Sequence, residues 1–586
     1  MKNKLLCLAS LLAVCAAFLA GCGETADDAL DSGLGTVIDK DDIETNASIH
    51  LRDNNLLYEN RDNTEIVTMY LTVSYGNSAE NTNHTWEEVN TYSVYDYDEM
   101  GVDRYKVAGL LQVGDENGLI PGELGYGQVA PNCTVQIRGQ SSSRNTQKNY
   151  KISIKDNKGD WRGQTTIALN KHQSDGLRFR NKLGFDLLTG IDELVSLRTT
   201  FVRLYVKDTT AGEDAKFEDY GIYTQVEQLN KTALERHGLD KRGHLYKVNF
   251  CEFQRYEDTI VLKDDPNYDV KAFEEILEIK GDDDHTKIIN LLERVNDYSI
   301  PIETILEENL DAENIAYWLA FQILVGNVDT QSRNFYLYSP LNSERFYILA
   351  WDLDGMFLRS EYDILGRSDY DEWENGVSNY WGNVLFQRCL KSEAFRAELD
   401  AAMDDLYAKL LDGRLAEYID TYSELLKPLI YVGRDATYLP LTSKEYDELA
   451  GALEDEVRSN YEAYKKSYDK PMPFYIGVPE LKDGKISLMW DVSYSFSVSP
   501  IKYSFELARD YTFNDVIVKK TGLDLPIVEF DVLPEGQYFV RVLAYDEDGD
   551  RQTAFDYYIT EEGKNYGIKC FYVDKDGNIL EDIYVE

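Results

Sequence analysis

The sequence predicts an α+β chain in which two β-rich stretches flank a long helical middle, and three observations carry that expectation. Strand-like runs recur early, over residues 66–75, 201–206 and 220–226. From residue 272 to about 466 apolar residues fall at helical spacing, most strongly over 313–325 with Ile315, Trp318, Leu319, Ile323 and Leu324. Beyond Lys470-Pro471-Met472-Pro473 only alternation and turns remain.

Taken in order, the chain opens on Met1-Lys2-Asn3-Lys4, followed by an apolar run from Leu5 to Leu19 broken by Ser10 and ending in Ala20-Gly21-Cys22. A basic start, an apolar run short for a bilayer span and small residues before a cysteine predict a lipoprotein signal peptide over 1–21 with a lipid on Cys22. The rest is then expected at the extracytoplasmic face of a bacterial cell membrane. Residues 22–45, with Asp27, Asp28, Asp31, Asp39, Asp41 and Asp42, read as an acidic flexible tether. Residues 46–130 read as a β-rich N-terminal segment, 131–468 as the main domain, 472–560 as a β-sandwich and 561–586 as a C-terminal hairpin or tail. In the sandwich Ile486, Leu488 and Trp490 share one face, and Tyr538, Val540, Val542 and Ala544 another. Leu533-Pro534-Glu535-Gly536-Gln537-Tyr538 resembles the tyrosine corner of fibronectin type III modules.

Composition narrows the function classes. A net charge of −45 disfavours nucleic acid and anionic membrane surfaces, because their phosphates are repelled. Cys133, Cys251, Cys389 and Cys570 are scattered without C-x-x-C spacing, and the six histidines show no ligand spacing, which argues against zinc and a disulfide framework.

Three motifs carry chemistry. In Gly326-Asn327-Val328-Asp329-Thr330-Gln331-Ser332-Arg333-Asn334 an apolar helix ends, an Asp appears, an Asn follows five positions later and a strand begins. Protein-kinase catalytic loops have this order: the Asp receives the proton of the attacking hydroxyl and the Asn binds metal. Next, Phe335-Tyr336-Leu337-Tyr338 and Arg345 to Trp351 read as a β-hairpin, and Trp351-Asp352-Leu353-Asp354-Gly355 ends it, offering the hard oxygen donors that magnesium takes. Finally, Arg138-Gly139-Gln140-Ser141-Ser142-Ser143 leads into a strand with Lys148 and Lys151, a turn whose N–H groups could cradle phosphate.

The segments I-R-G-x-S-S, K-N-Y-K-I, G-I-Y-x-x-x-E, G-N-x-D-x-x-x-x-N-x-Y-L-Y and W-D-L-D, in this order, resemble the CotH family of spore-coat and secreted kinases over roughly 130 to 460. The resemblance implies an atypical bilobal protein-kinase-like fold and phosphoryl transfer from ATP, with Mg²⁺ or Mn²⁺, to protein hydroxyls, coat or surface proteins among them. By position it implies Asp329 as the catalytic Asp, with Asn334 and Asp352 on metal and Asp354 as a second acidic candidate. Lys148 matches the phosphate-facing lysine, with Lys151 on the opposite strand face as the alternative. Arg138 matches the turn arginine, and Gln225 and Glu227 sit where the hinge would meet adenine. The helix over 177–188 departs from kinase expectation, offering only Asp186 as a partner for the lysine. Two other classes stay open: a scaffold that kept the fold and lost the chemistry, and a cell-surface polysaccharide binder.

Overall fold

The computed structural model describes residues 50–59, 61–367, 372–497, 499–561 and 563–581. Cys22, the signal peptide and the tether lie outside the described residues. No helix among the described residues is long and apolar enough to cross a membrane.

Eight strands among the described residues form the first sheet. They are β1 (Ile66–Ser74), β2 (Val107–Asp115), β3 (Gly118–Leu119), β4 (Cys133–Arg138), β5 (Asn149–Ile154), β6 (Thr166–Asn170), β7 (Thr199–Asp208) and β8 (Phe217–Glu227). Their order is β1-β7-β8-β6-β5-β4-β2-β3, and β1 also pairs β2, which closes the sheet on itself. The β1–β7 pair is parallel, with Ile66 opposite Phe201. Closure follows from the alternation of the strands. Met69, Leu71, Val135, Ile137, Ile152, Leu169, Val202 and Leu204 share one inner core, and pairing β1 to both neighbours leaves neither of its edges open. The expected boundary at 130 therefore falls inside one sheet.

A second sheet runs β10-β9-β11-β12, from β9 (His244–Val248), β10 (Leu277–Ile279), β11 (Phe335–Ser339) and β12 (Tyr347–Ala350), all antiparallel. It packs into a large helical core with the helix Ala312–Leu324, in which Trp318, Ala320 and Phe321 are fully buried. Asp311 caps that helix by accepting the N–H groups of Glu313 and Asn314. The helix ends at Gly326, whose φ of +63° suits glycine and turns the chain out of the helix toward the second sheet.

The C-terminal part is all β. Lys485–Met489 and Ile527–Asp531 in one sheet, and Lys502–Ala508 and Gly536–Tyr545 in another, enclose a common core of Leu488, Phe505, Val528 and Val542. Tyr538 donates its hydroxyl to the Pro534 carbonyl at 2.9 Å. Ile568–Val573 pairs along Gly536–Tyr545. The expected boundary at 561 therefore also falls inside a sheet, and the last residues described are not a separate tail.

Candidate functional site

Asp329 and Asn334 are brought together by a tightly held loop. Asn334 adopts a φ of +63° and donates its side-chain amide to both the carbonyl and the carboxylate of Asp329, each at 2.9 Å. With its nitrogen so committed, the Asn334 oxygen is the atom left for a cation. The loop backbone is pinned from outside by Asn379, which donates to the Val328 carbonyl at 3.0 Å, and by Asn383, which donates to the Gln331 carbonyl at 2.9 Å. The Thr330 and Tyr380 hydroxyls meet at 2.9 Å. The Asp329 side chain stays 64% exposed. Desolvation there raises its pKa against the opposing effects of Arg333 and the Asn334 hydrogen bond.

Asp352 ends the hairpin of β11 and β12 with a φ of +56°, a conformation that costs a non-glycine residue and recurs at functional positions. Its carboxylate has no direct hydrogen bond or ion pair among the described residues. Desolvation and the neighbouring Asp354 push its pKa well up, while His172, Arg138 and Lys247 oppose them. Desolvation acts on Asp354 too, but a hydrogen bond from His172 at 3.1 Å and the charges of His172 and Arg180 hold it below the usual range. The other His172 nitrogen lies 3.2 Å from the Asn181 amide, and Asn181 accepts the Leu353 N–H at 3.2 Å, so this pair orients the Asp352–Asp354 turn. Two carboxylates and an amide oxygen form a hard donor set, and an acid without a direct partner suits a divalent cation.

Facing these acids is a group of cations. Arg138 on β4 is hydrogen-bonded to Asn170, and Lys151 on β5 lies on the same sheet face, because Asn149 pairs with Arg138. Lys247 on β9 and Lys280 just after β10 approach from the second sheet. Burial lowers the pKa of Arg138, Lys151 and Lys247; Asp352 is the foremost counter-charge for Arg138, and Glu278 for the two lysines, with Lys280 and Arg138 adding repulsion at Lys151. Such a concentration of positive charge in a chain of net −45 suits an anion.

The alternation of the strands corrects the expected nucleotide-binding set. Lys148 is two residues before Tyr150, which points into the closed core, so Lys148 lies on the far side of the sheet from Arg138. There its ammonium donates to the Ser143 carbonyl at 2.6 Å. Of the two lysines left open by the sequence, Lys151 is the one that shares a sheet face with Arg138. Gln225 and Glu227 pair opposite the core residues Leu169 and Ile167 and also turn away from Arg138. Gln225 donates to Gln164 at 2.9 Å, and Glu227 is ion-paired with Arg198 and with His237, the latter at 3.0 Å. Asp186 partners neither lysine: Lys182, Arg61 and Tyr422 occupy it. Lys247, Glu278 and His172 escaped the sequence reading. Lys247 and Glu278 leave a trace as polar residues interrupting apolar strands, whereas His172 has no local pattern.

The chain is mixed α+β, and its Asp329–Asn334 loop lies near an acidic turn that is itself flanked by cations. The family model described as CotH kinase protein matches residues 135–464, more than half of the sequence, and the chain belongs to that family. The inner spore coat protein H of Bacillus subtilis (strain 168) is 23% identical over 284 residues, covering 47% of this chain and 71% of that protein. Among solved structures, the Helicobacter pylori proinflammatory kinase CtkA is 12% identical, covering 54% of this chain and 93% of its own, at a TM-score of 0.23. The Shewanella oneidensis MR-1 toxin–antitoxin complex of HipA, HipB and operator DNA is 10% identical, covering 63% and 78%, at a TM-score of 0.25. At such TM-scores neither structure bears on the assignment. The family match leaves β1, β2 and the C-terminal β module outside it.

Proposed function

We propose that this chain is a protein kinase that transfers the γ-phosphoryl group of ATP to protein hydroxyls, working at the outer face of a bacterial membrane through a lipid on Cys22. The observation that carries the chemistry is the meeting of Asp329 and Asn334 on one loop opposite Asp352, Asp354 and the Arg138–Lys151–Lys247 cluster. The lipoprotein pattern before Cys22 supports the location.

The division of labour follows from the side chains. Asp329 accepts the proton of the acceptor hydroxyl as its oxygen forms a bond to the γ-phosphorus. The bond from that phosphorus to the bridging oxygen of ADP breaks, and ADP leaves with the electron pair. Arg138, Lys151 and Lys247 stabilise negative charge on the phosphates in a partly desolvated cleft. A divalent cation, Mg²⁺ or Mn²⁺, held by Asn334, Asp352 and Asp354, would neutralise phosphate charge and fix the orientation of the nucleotide. His172 and Asn181 orient the acidic turn.

The test is thermal denaturation of the detergent-solubilised full chain with and without Mg–ATP or Mn–ATP, followed by transfer of label from γ-labelled ATP to protein. A metal-dependent shift with transfer that disappears in Asp329→Ala supports the reading. Absence of a shift with either metal overturns it in favour of a scaffold.

A further inference from the structure

The stretch Glu372–Asn383 is built into two places at once. On one side Asn379, Tyr380 and Asn383 hold the backbone of the Asp329 loop. On the other, Trp373 packs edge-on against Phe555 and Tyr566, with ring centroids at 4.9 and 5.8 Å, and Tyr566 donates its hydroxyl to Glu374 at 3.0 Å. Trp381 meets Tyr494 and Phe496 of the C-terminal module at 5.1 and 5.7 Å. Both tryptophans are buried, and Phe555 is part of the main helical core. The C-terminal module is thus docked through the same stretch that positions the catalytic loop, which fixes its strand Gly563–Tyr566 relative to Asp329.

That strand carries Lys564, exposed, its ammonium 4.7 Å from the Tyr557 ring centre and 5.9 Å from that of Tyr566. Its positive charge reaches the Asp329 carboxylate. Arg333 lies 3.8 Å from Asp329, with its guanidinium over Phe250, which is 46% exposed. Two cations from distant parts of the sequence therefore flank Asp329, beside an exposed aromatic ring. Glu561 stands exposed three residues before Lys564, so the local charge is mixed and Lys564 and Arg333 are its basic members. Glu374 is occupied by Tyr566, and burial raises the pKa of Glu252.

We propose that the acceptor polypeptide lies between Phe250–Arg333 and Tyr557–Lys564, and that Lys564 together with Arg333 selects hydroxyls flanked by acidic side chains. The chain as a whole, at −45, repels an acidic peptide, so such a preference has to come from these local charges. The inference rests on the kinase reading and extends it to the acceptor, using a module the family match does not reach.

The test uses the full chain in detergent and two fluorescent serine peptides that differ only in carrying Glu or Lys on both sides of the serine. Binding is read by anisotropy, and the KM values for peptide and for ATP by phosphate incorporation. The expected result is tighter binding and a lower KM for the Glu peptide. Lys564→Ala should raise that KM roughly two- to five-fold, the size of an exposed ion pair. Lys564→Glu should reverse the preference, Lys564→Arg should restore it, and the KM for ATP should stay constant across the series. A preference identical in wild type and Lys564→Glu, by anisotropy or KM, overturns the inference while leaving the kinase reading intact. A wild-type chain that shows no thermal shift with Mg–ATP and labels neither peptide overturns both.

Discussion

Asp186 and Asp352 are both acids set among cations away from bulk water, and the structure treats them in opposite ways. Asp186 is fully buried and saturated: Arg61 lies at 2.5 Å, Lys182 at 2.8 Å and the Thr199 hydroxyl at 3.1 Å, with the Tyr422 hydroxyl completing the set. Asp352 is desolvated, sits in a left-handed backbone conformation and has cations around it but none in direct contact. A saturated acid holds elements together. An acid left without a direct partner beside Asp354 and a cationic cluster is what the proposed kinase reading asks of a metal ligand.

The largest effects should separate these two roles. Asp329→Ala should lower phosphoryl transfer by about 10²–10⁴-fold, the range of a general base. Asp352→Ala should lower it at least as far while leaving the melting temperature unchanged or higher, because no direct partner is stranded. Asp186→Ala should do the reverse, costing about 3–5 kcal/mol of stability in denaturant titrations by leaving Lys182 uncompensated. If Asp352→Ala instead melts the protein, the contrast fails. Next in size, His172→Ala should weaken metal-dependent activity about 10–100-fold, the usual cost of removing a group that orients a metal ligand. Lys151→Ala should abolish the ATP-dependent thermal shift and Lys148→Ala should retain it; the opposite outcome would return the phosphate-facing role to Lys148.

The smallest effect is graded by pH and concerns a third, saturated centre. Burial opposes protonation of His237, but hydrogen bonds from its ring to Asp53 at 2.6 Å and Glu227 at 3.0 Å, with their charges, raise its pKa to about 9. Its folded pKa lies above the unfolded value near 6.5, so its contribution is complete below that pH and is lost as pH rises through about 9. Chemical denaturation between pH 6 and 10 should show that decline, and His237→Gln should flatten it. Burial opposes ionisation of Glu227, but His237 and Arg198 hold its pKa at about 2, so its own contribution survives until strongly acid pH.

How much of this was legible in the sequence depended on whether the signal was local. The meeting of Asp329 and Asn334 was legible because they lie five residues apart on one turn, and the Trp351–Asp354 turn because it follows an apolar hairpin. The helical middle was legible from periodicity; the helix expected at 313–325 is observed as Ala312–Leu324. The choice between Lys148, placed by the resemblance, and Lys151, its alternative on the opposite face, was not legible, because one residue of phase moves a side chain to the other face of the sheet. Gln225 and Glu227, placed at the hinge by the resemblance, lie on the core face of the first sheet for the same reason of alternation. Lys247, Glu278 and His172 come from three separate segments and meet Asp352 only through tertiary packing. Barrel closure was equally invisible, because β1 reads as an ordinary strand until its partners are known.

That closure has a consequence for how the chain must form. β1 comes early in the sequence, yet its parallel partner β7 lies far downstream, with β2 to β6 and their connections between them. The first hairpin partner of β1 is β2, so one edge of β1 stays open until Thr199–Asp208 is made and docked. Long-range parallel pairing is slow, because the loop entropy is lost before the contacts are gained. The barrel core therefore closes late, and during that interval the Ile66–Ser74 edge is the place where the folding chain is most exposed to pairing with another copy of itself.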